Sequence, residues 1–447
     1  MAGNQAGQIF KLNRRPNLPL RRRNSAARPH PAYNNRVAFL LKSIRLKNIL
    51  SFKDAKLPLD SLNVLIGPNA AGKSNLIDVI GLLRAAPKDL TVAILRGGGA
   101  PAWIRKGPLG ALSIGGIECE LVLDAETLEY SLEFSSADRA FVIERESLRR
   151  AAQRSARVYF ERSAASVKLG KRPHNGGPAA QTAPIASHAS VFSAIRDPLD
   201  RTPVTRLGTE LRRIQIYRTF DTGPRGQART GAPTDLPKEF LDDTGYNLAV
   251  VLHEMQFNGT IERVNEYLRR LADQFESVRV GLDSGVARVA VKEKGIEQPV
   301  PAVRLSDGTL KFLCLMVALL HDNPPPLICL EEPELGLHPD ALLLVAEVLR
   351  GAAGRTQLIV TTHSEALIDA LSARPEAVVV CERDLDNATS FQRLAPSDLR
   401  VWLERYRLGE LWRKGEIGGN RHPHLLRRRP SIKGRLPEFL WQAGPTG

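Results

Sequence analysis

The sequence predicts an α/β protein with a parallel sheet at its centre. Apolar runs of four or five residues, the length of a buried strand, alternate with stretches of helical periodicity. Leu, Ala and Val dominate the composition, and aromatic residues make up only 6%, which suits helices packed on a sheet better than an all-β sandwich. With 447 residues, the chain is long enough for two or three compact units.

Composition and periodicity divide the chain into five segments. In chain order they are a disordered basic extension (1–36), a first α/β part with a glycine-rich loop and an antiparallel β arm (37–162), a loop-rich and helical insertion (163–300), a second α/β part (301–411) and a basic tail (412–447).

The first α/β part begins with an alternating strand at 39–49 and a short apolar strand at 62–66. A glycine-rich loop and a periodic helix from Ser74 to Arg84 follow, and the later strands predict the arm. In the insertion, residues 163–205 are rich in small and polar residues and predict a flexible loop. Residues 239–275 predict mainly helix, and a β-hairpin follows.

The second α/β part alternates helices with short apolar strands. The predicted order is a helix at 309–320, a strand at 327–330, a helix at 339–350 and a strand at 357–361. This alternation is what a parallel sheet requires, because each crossover needs a helix.

The strongest motif is a phosphate loop that fits G-x-x-x-x-G-K-[ST] and lies between a strand and a helix. Its residues are Gly67, Pro68, Asn69, Ala70, Ala71, Gly72, Lys73 and Ser74. The glycines let successive N–H groups face phosphate oxygens, and the helix adds its N-terminal dipole. The pattern predicts that Lys73 reaches the β- and γ-phosphates and that Ser74 binds Mg²⁺.

The second motif is an acidic pair at the end of an apolar strand, Glu331 and Glu332. Ligands of open α/β sheets bind at the carboxyl ends of strands. Glu331 is therefore a candidate to hold Mg²⁺ through water, and Glu332 a candidate to orient or deprotonate an attacking water. A solvated acidic loop is the alternative interpretation.

Two weaker signals lie on either side of the acidic pair. Ser306 and Gly308 open a predicted helix, where a hydroxyl, a glycine backbone and a helix N-terminus form a second anion cradle. The same string is also a common helix cap. His363 follows the strand at 357–361, and a lone His is more often a structural residue.

The order and spacing of these motifs resemble the ABC-type ATPase head, and more closely the RecF/SMC/OLD branch of bacterial ATPases. Gly-Leu-His-Pro at 336–339 and Thr-Thr-His-Ser at 361–364 are typical of that branch. The likeness covers about 38–80 and 300–385, and the C-terminal stretch resembles predicted stand-alone bacterial ATPases. It implies a P-loop NTPase fold, with ATP and Mg²⁺ as ligands and ATP hydrolysis as the activity.

The resemblance also implies a homodimer that sandwiches ATP. Ser306 and Gly308 would then bind the γ-phosphate held by the second copy, and His363 would sense it. Asp384 and Asp386 mimic the paired acids of the nuclease that OLD proteins carry, but the spacing favours a hairpin turn between two strands. The glutamine loop of many ABC heads has no clear counterpart in the sequence.

The distribution of charge and the use of cysteine indicate the possible partners and the cellular compartment of the protein. Residues 1–53 carry 12 Lys or Arg and no acid, and residues 412–447 carry 8 against 2 acids. The clusters at 21–23 and 427–429 indicate a polyanion such as DNA, or a solvated tail without a partner. Four scattered cysteines predict reduced core thiols and a cytoplasmic location. No apolar run approaches the length of a membrane span.

Two functions follow from the resemblance and from the charge. The first is an ATP-driven clamp or sensor on DNA, in repair or in defence against phage. The second is a regulatory ATPase that controls a protein partner, such as a nuclease, without binding DNA itself. In the second case the loop-rich insert at about 163–235 is the predicted docking site.

Overall fold

The structure is a computed structural model that describes residues 39–106, 114–151, 157–170, 181–195 and 202–418. The predicted basic extension, both arginine clusters and most of the basic tail lie outside these residues. Domain boundaries at the ends of the chain therefore stay a prediction.

The described residues form eighteen strands. In chain order they are β1 (Phe39–Ile49), β2 (Phe52–Pro58), β3 (Leu62–Ile66), β4 (Ile114–Leu123), β5 (Glu126–Ala137), β6 (Ala140–Arg150), β7 (Val158–Ser163), β8 (Ser166–Leu169), β9 (Gln181–Pro184), β10 (Gln215–Tyr217), β11 (Ala232–Pro233), β12 (Phe275–Asp283), β13 (Val286–Glu293), β14 (Val300–Pro301), β15 (Leu327–Glu331), β16 (Gln357–Thr361), β17 (Val378–Arg383) and β18 (Thr389–Arg393).

The same part of the chain contains thirteen α-helices. They are α1 (Lys73–Ala85), α2 (Leu90–Arg96), α3 (Ala100–Trp103), α4 (Val191–Ala194), α5 (Pro203–Arg213), α6 (Gln227–Thr230), α7 (Leu248–Phe257), α8 (Ile261–Leu271), α9 (Asp307–Leu320), α10 (Pro339–Ala352), α11 (Glu365–Asp369), α12 (Pro396–Leu403) and α13 (Leu408–Arg413).

The central sheet has six strands in the order β10-β15-β16-β3-β17-β18. All neighbours are parallel except β17 and β18, which form an antiparallel hairpin. The predicted parallel sheet is confirmed. The turn of this hairpin contains Asp384 and Asp386, with Asp384 accepting backbone hydrogen bonds from Asp386 and Ala388. The hairpin interpretation of these two acids is therefore confirmed.

Each face of the central sheet packs against its own apolar core. In β15, Ile328 and Leu330 enter the core beneath α7 to α11, whereas Leu327 and Cys329 enter the core formed with α1 and the arm. Alternate side chains of a strand point to opposite faces. A sheet covered on both faces therefore needs strands with apolar residues at consecutive positions, as in β15 and β16.

The β arm is an eight-stranded antiparallel sheet in the order β2-β1-β4-β5-β6-β7-β8-β9. The predicted arm is confirmed, but the flexible loop predicted at 163–205 is wrong where the structure describes it. There β8 and β9 extend the arm, and α4 and the start of α5 follow. β8, β9 and α4 have only four residues each, so they are too short to show the apolar periodicity that identifies a strand or helix in a sequence.

Gln357 ties the arm to the central sheet. Its side-chain amide donates to the carbonyls of Leu41 (2.8 Å) and Asp60 (3.0 Å), and its oxygen accepts from the Leu41 N–H (3.0 Å). Gln357 is 1% exposed, so these hydrogen bonds replace the ones to water that the amide loses when it is buried. They fix β1 beside the beginning of β16.

A third, smaller sheet covers the helical face with the order β11-β13-β12, and β14 also pairs with β13. The predicted hairpin is β12 and β13, and it is confirmed. The predicted helical stretch is confirmed only from residue 248, because residues 239–247 form turns. Asn247 stabilises these turns by donating to the carbonyls of Pro237 and Phe240.

Two further predictions can be compared with the described residues. Cys119, Cys314, Cys329 and Cys381 are buried free thiols, as expected. None of the helices that the structure describes is long and apolar enough to cross a membrane.

Candidate functional site

The candidate site lies at the carboxyl edge of the parallel sheet. Glu331 at the end of β15 is in register with Thr361 at the end of β16, and Thr361 is in register with Leu65 of β3. The phosphate loop, the acidic pair and His363 each follow one of these three strands. The sheet therefore brings them to one edge, where ligands of such sheets bind.

The phosphate loop owes its path to residues with positive φ. Gly67 has φ 146°, Ala70 has φ 63° and Gly72 has φ 101°. A Cβ at Gly67 would collide with the Cys381 carbonyl, and one at Gly72 would lie 2.7 Å from Ser51 Oγ. Only glycine fits these two positions.

The rest of the loop completes the curve before α1. Ala71 N–H donates to the Pro68 carbonyl (3.2 Å), and Asn69 lies exposed at the tip between them. No acidic residue occurs in the first turn of the 13-residue helix α1. Its N-terminal N–H groups and dipole thus face the loop without a competing carboxylate.

Lys73 lies beneath the loop. Its ammonium donates to the carbonyls of Gly67 (2.9 Å) and Pro68 (3.0 Å), and the residue is 6% exposed. Burial lowers the pKa of Lys73, and the Glu332 and Glu331 carboxylates oppose that shift. An ammonium has three donors, so Lys73 keeps one for a ligand.

Ser74 and Glu331 meet across the edge of the sheet. The Ser74 hydroxyl donates to one carboxylate oxygen of Glu331, and Arg218 donates to the other at 2.6 Å. Two hard oxygen donors side by side suit Mg²⁺, which prefers such ligands and keeps several waters. The residue pair predicted for the metal is therefore assembled.

Arg218 is the residue that sequence reasoning missed. It follows β10, the strand next to β15, and its guanidinium bridges Glu331 and Asp78 of α1. Burial raises the pKa of Asp78, and Arg218 opposes this shift. The signal in the sequence was a three-residue strand, Gln-Ile-Tyr, followed by a cation, which is too short to stand out from its surroundings.

Glu332 and His363 face each other beside the acidic strand. The distance from Glu332 Oε1 to His363 Nε2 is 3.6 Å. Glu332 has φ 47°, and its N–H donates to the Thr361 carbonyl at 3.0 Å. A non-glycine residue with positive φ is strained, and such strain is concentrated at functional sites.

Ser306 and Gly308 form the start of helix α9. Ser306 is exposed and caps α9, accepting a hydrogen bond from Thr309 N–H at 3.0 Å. A Cβ at Gly308 would lie 2.9 Å from the Gly336 carbonyl, so the glycine allows the first turn of α9 to approach the loop after the acidic pair. The two residues form a helix start at which Ser306 is exposed and Gly308 is half-buried.

Arg229 supports this helix start from the insertion. The buried guanidinium donates to the carbonyls of Ala302 (3.0 Å), Leu305 (2.6 Å) and Thr222 (2.8 Å), and it pairs with Asp307. The segment around α6 is thereby bonded to the backbone before Ser306 and to the Asp307 side chain after it.

Residues 62–189 and 242–369 match the model of a protein family described as "AAA domain, putative AbiEii toxin, Type IV TA system". The two matched segments cover more than half of the chain and include the phosphate loop, the acidic pair and His363. The chain belongs to this AAA-domain family. Within the family match, strands β4 to β9 of the arm are part of the first segment, and α7 to α11 are part of the second.

Solved structures similar to this AAA-domain protein are SMC heads. The Smc head domain of Pyrococcus furiosus, bound to the C-terminal domain of ScpA, matches with a TM-score of 0.50 and 12% identity over 82% of this chain and 99% of that chain. The SMC head domain of Thermotoga maritima matches with a TM-score of 0.44 and 16% identity, covering 79% and 99%. No curated protein matches the sequence significantly.

The fold of this AAA-domain protein is that of an ABC-type ATPase head of the SMC/RecF kind. The predicted fold class and the predicted family resemblance are confirmed. At 12–16% identity, the similarity to the solved structures shows the fold alone. The roles of single residues rest on the geometry described above.

Proposed function

We propose that this protein binds ATP with Mg²⁺ and hydrolyses it between two copies of the chain. The observation that carries the proposal is the convergence of Lys73, Ser74, the acidic pair and His363 at one edge of the parallel sheet. The family's AAA-domain fold supports nucleotide-dependent ATPase activity.

In the proposed complex, the phosphate loop cradles the triphosphate. Its N–H groups and the N-terminus of α1 donate to phosphate oxygens, while the remaining donor of Lys73 faces the β- and γ-phosphates. Ser74 and Glu331 are the protein groups that would hold Mg²⁺, which neutralises charge on the phosphates when bound. For Glu331 to do so, its bonds with Ser74 and Arg218 must loosen.

Glu332 is the proposed general base. Its carboxylate accepts the proton of the attacking water, and the His363 imidazole, 3.6 Å away, orients the carboxylate and contacts the terminal phosphate. A positioned base of this kind contributes about 10²- to 10⁴-fold to the rate.

The second copy completes the site in this proposal. Ser306 and Gly308 lie at the start of α9, where Ser306 is exposed, and in the proposed dimer they contact the phosphate held by the other copy. A helix N-terminus with an adjacent hydroxyl is suited to an anion. Each copy would thus supply the second cradle to its partner.

The test is ATP turnover by the wild-type protein and by Glu332→Gln. We expect wild type to release phosphate from ATP in a Mg²⁺-dependent manner, and the variant to bind ATP but to lose at least about 100-fold in kcat. Hydrolysis by the variant at the wild-type rate would exclude Glu332 as the base.

The proposed load of this ATPase is DNA, in repair or in phage defence. The support is the basic excess at the two ends of the chain beside a nearly neutral body. Contacts to phosphates would make binding insensitive to sequence and weaker as salt increases. Titration of duplex DNA from about 50 to 200 mM salt, with ATP present, tests this, and undetectable binding at low salt would refute it.

A protein partner is the second candidate load. One observation favours it: Arg229 connects the segment at 222–235 to the backbone around Ser306, so a protein docked on that segment would be coupled to the second cradle. The P. furiosus Smc head is itself bound to a domain of ScpA. Co-purification with and without ATP tests this candidate, and a nucleotide-dependent partner found without DNA binding would favour it over the first.

A further inference from the structure

The third glutamate of the acidic strand end, Glu334, has no role in the site as described so far. Its Oε1 accepts two hydrogen bonds, from Thr362 Oγ1 (2.8 Å) and from the N–H of His363 (2.7 Å). Thr362 Oγ1 in turn accepts from the Ser364 N–H at 2.9 Å. A single carboxylate oxygen therefore holds the loop that presents His363.

The other oxygen of Glu334 is buried and has no hydrogen-bond partner among the described residues. Buried acceptors are almost always paired, and an exception in a native site calls for an explanation. A neutral glutamine would make the two observed bonds through its own oxygen. These two hydrogen bonds therefore do not require the negative charge of Glu334.

The loop that carries Glu334 is fastened to α9. Lys311 donates to the carbonyl of Leu335 at 2.5 Å, and Gly308 packs against the Gly336 carbonyl. Burial lowers the pKa of Lys311, and the Glu334 carboxylate opposes this shift more than any other group. Residues 332–338 therefore connect the helix that begins at Ser306 with the loop of His363.

We propose that Glu334 is a positioning residue that holds the His363 backbone in place, so that the His363 imidazole faces the Glu332 carboxylate. Through the loop at 332–338, it also couples the start of α9 to His363. The inference rests on the proposed ATP hydrolysis and adds a residue that acts through His363 rather than on the substrate.

The experiment compares steady-state ATP hydrolysis and ATP affinity in Glu334→Ala and Glu334→Gln. We expect Glu334→Ala to lower kcat at least about tenfold, because a small misplacement of a catalytic group is that costly, while the Kd for ATP changes less than about twofold. Glu334→Gln should recover at least half of the wild-type kcat, since its amide oxygen can accept both bonds.

A second comparison separates positioning from general destabilisation. In a His363→Ala background, Glu334→Ala should cause no further loss of kcat, because the residue on which it acts is gone. Glu146→Gln is the control: Glu146 is fully buried and accepts from the Ser190 hydroxyl (2.6 Å) and the Val191 N–H (2.8 Å). It should leave kcat per folded molecule unchanged.

Three results would overturn the inference: an unchanged kcat in Glu334→Ala, an equal loss of kcat with and without His363, or a loss of ATP affinity in parallel with kcat. If Glu334→Ala does not fold, Glu334→Asp replaces it, since the shorter carboxylate cannot reach both donors. Absence of turnover in the wild-type protein would instead refute the proposed function itself.

Discussion

Lys73 is buried, and its ammonium donates hydrogen bonds to two carbonyls of the phosphate loop. Lys73→Ala removes the ammonium that is proposed to face the phosphates, and it removes one donor each from the loop carbonyls of Gly67 and Pro68. We expect the affinity for ATP to fall at least about 100-fold, or about 2.7 kcal/mol, as measured by titration with a fluorescent ATP analogue.

The control for this variant is Lys53→Ala, because Lys53 is an exposed lysine paired with Asp386 and should leave ATP affinity unchanged. An ATP affinity of Lys73→Ala within twofold of wild type would show that the ammonium does not reach the nucleotide.

Arg218 competes with a metal ion for Glu331. The guanidinium occupies one oxygen of this carboxylate at 2.6 Å, and a cation bound there must displace it. Arg218→Met keeps an unbranched side chain and removes the charge. We expect the Mg²⁺ concentration for half-maximal ATP hydrolysis to fall about fivefold, since each tenfold in affinity corresponds to about 1.4 kcal/mol.

A Mg²⁺ titration of hydrolysis measures this change. An unchanged or higher Mg²⁺ requirement would mean that Arg218 supports the metal site rather than occupying it.

The residues of the site could be predicted where the residues that form a motif are adjacent in the sequence. The phosphate loop and the acidic pair are contiguous strings next to apolar strands, and the structure places them together. Arg218 and Glu334 escaped prediction because their partners are more than 25 positions away in the chain. Only the register of the parallel strands brings these partners together, and a single sequence does not reveal that register.

At the scale of elements, α8 and α10 are joined by one ion-pair cluster. Glu347 of α10 accepts from Arg270 (2.9 and 2.6 Å) and from the Tyr267 hydroxyl (3.0 Å) of α8. The hydrogen bonds from Arg270 lower the pKa of Glu347 from 4.5 to about 2. A carboxyl whose pKa is lower in the folded state stabilises that state above its unfolded pKa.

We therefore expect Glu347→Gln to destabilise the protein at pH 7 by about 0.5 kcal/mol, the range of a largely exposed pair. The difference from wild type should shrink as the pH falls from 4.5 towards 2, where Glu347 becomes protonated. Urea unfolding at pH 7 and pH 3 measures it, and Glu266→Gln on the exposed face of α8 is the control. A difference that is larger at pH 3 would contradict the assignment.

A helix or strand could be predicted from the sequence where its apolar residues form a clear pattern. β15 and α9 consist almost entirely of buried apolar residues, and their bounds were close to those predicted. β8 and β9 have four residues each and owe their existence to pairing with β7 and with each other. Their sequences carry no signal of that pairing, so the region was interpreted as a loop.

At the scale of the whole molecule, the proposed sandwich joins the phosphate loop of one copy to the start of α9 in the other. In this proposal, Glu332→Gln stops hydrolysis and leaves ATP bound. We expect this variant to elute as a dimer with ATP and Mg²⁺ and as a monomer without nucleotide, in size-exclusion chromatography with light scattering.

Ser306→Arg in the same background should abolish this dimer, because a bulky cation would occupy the second cradle. A Glu332→Gln protein that stays monomeric at saturating ATP would refute the sandwich.

The four buried cysteines give the molecule a set of internal reporters. One lies in the arm (Cys119), one in the helix that begins at Ser306 (Cys314), and two in the central sheet (Cys329 and Cys381). Burial raises the pKa of Cys329 and Cys381 to about 12, so neither thiol reacts with an alkylating reagent until its strand opens to solvent. Alkylation rates followed by mass spectrometry would therefore measure the opening of the arm, the helix and the sheet separately, in a protein with no added label.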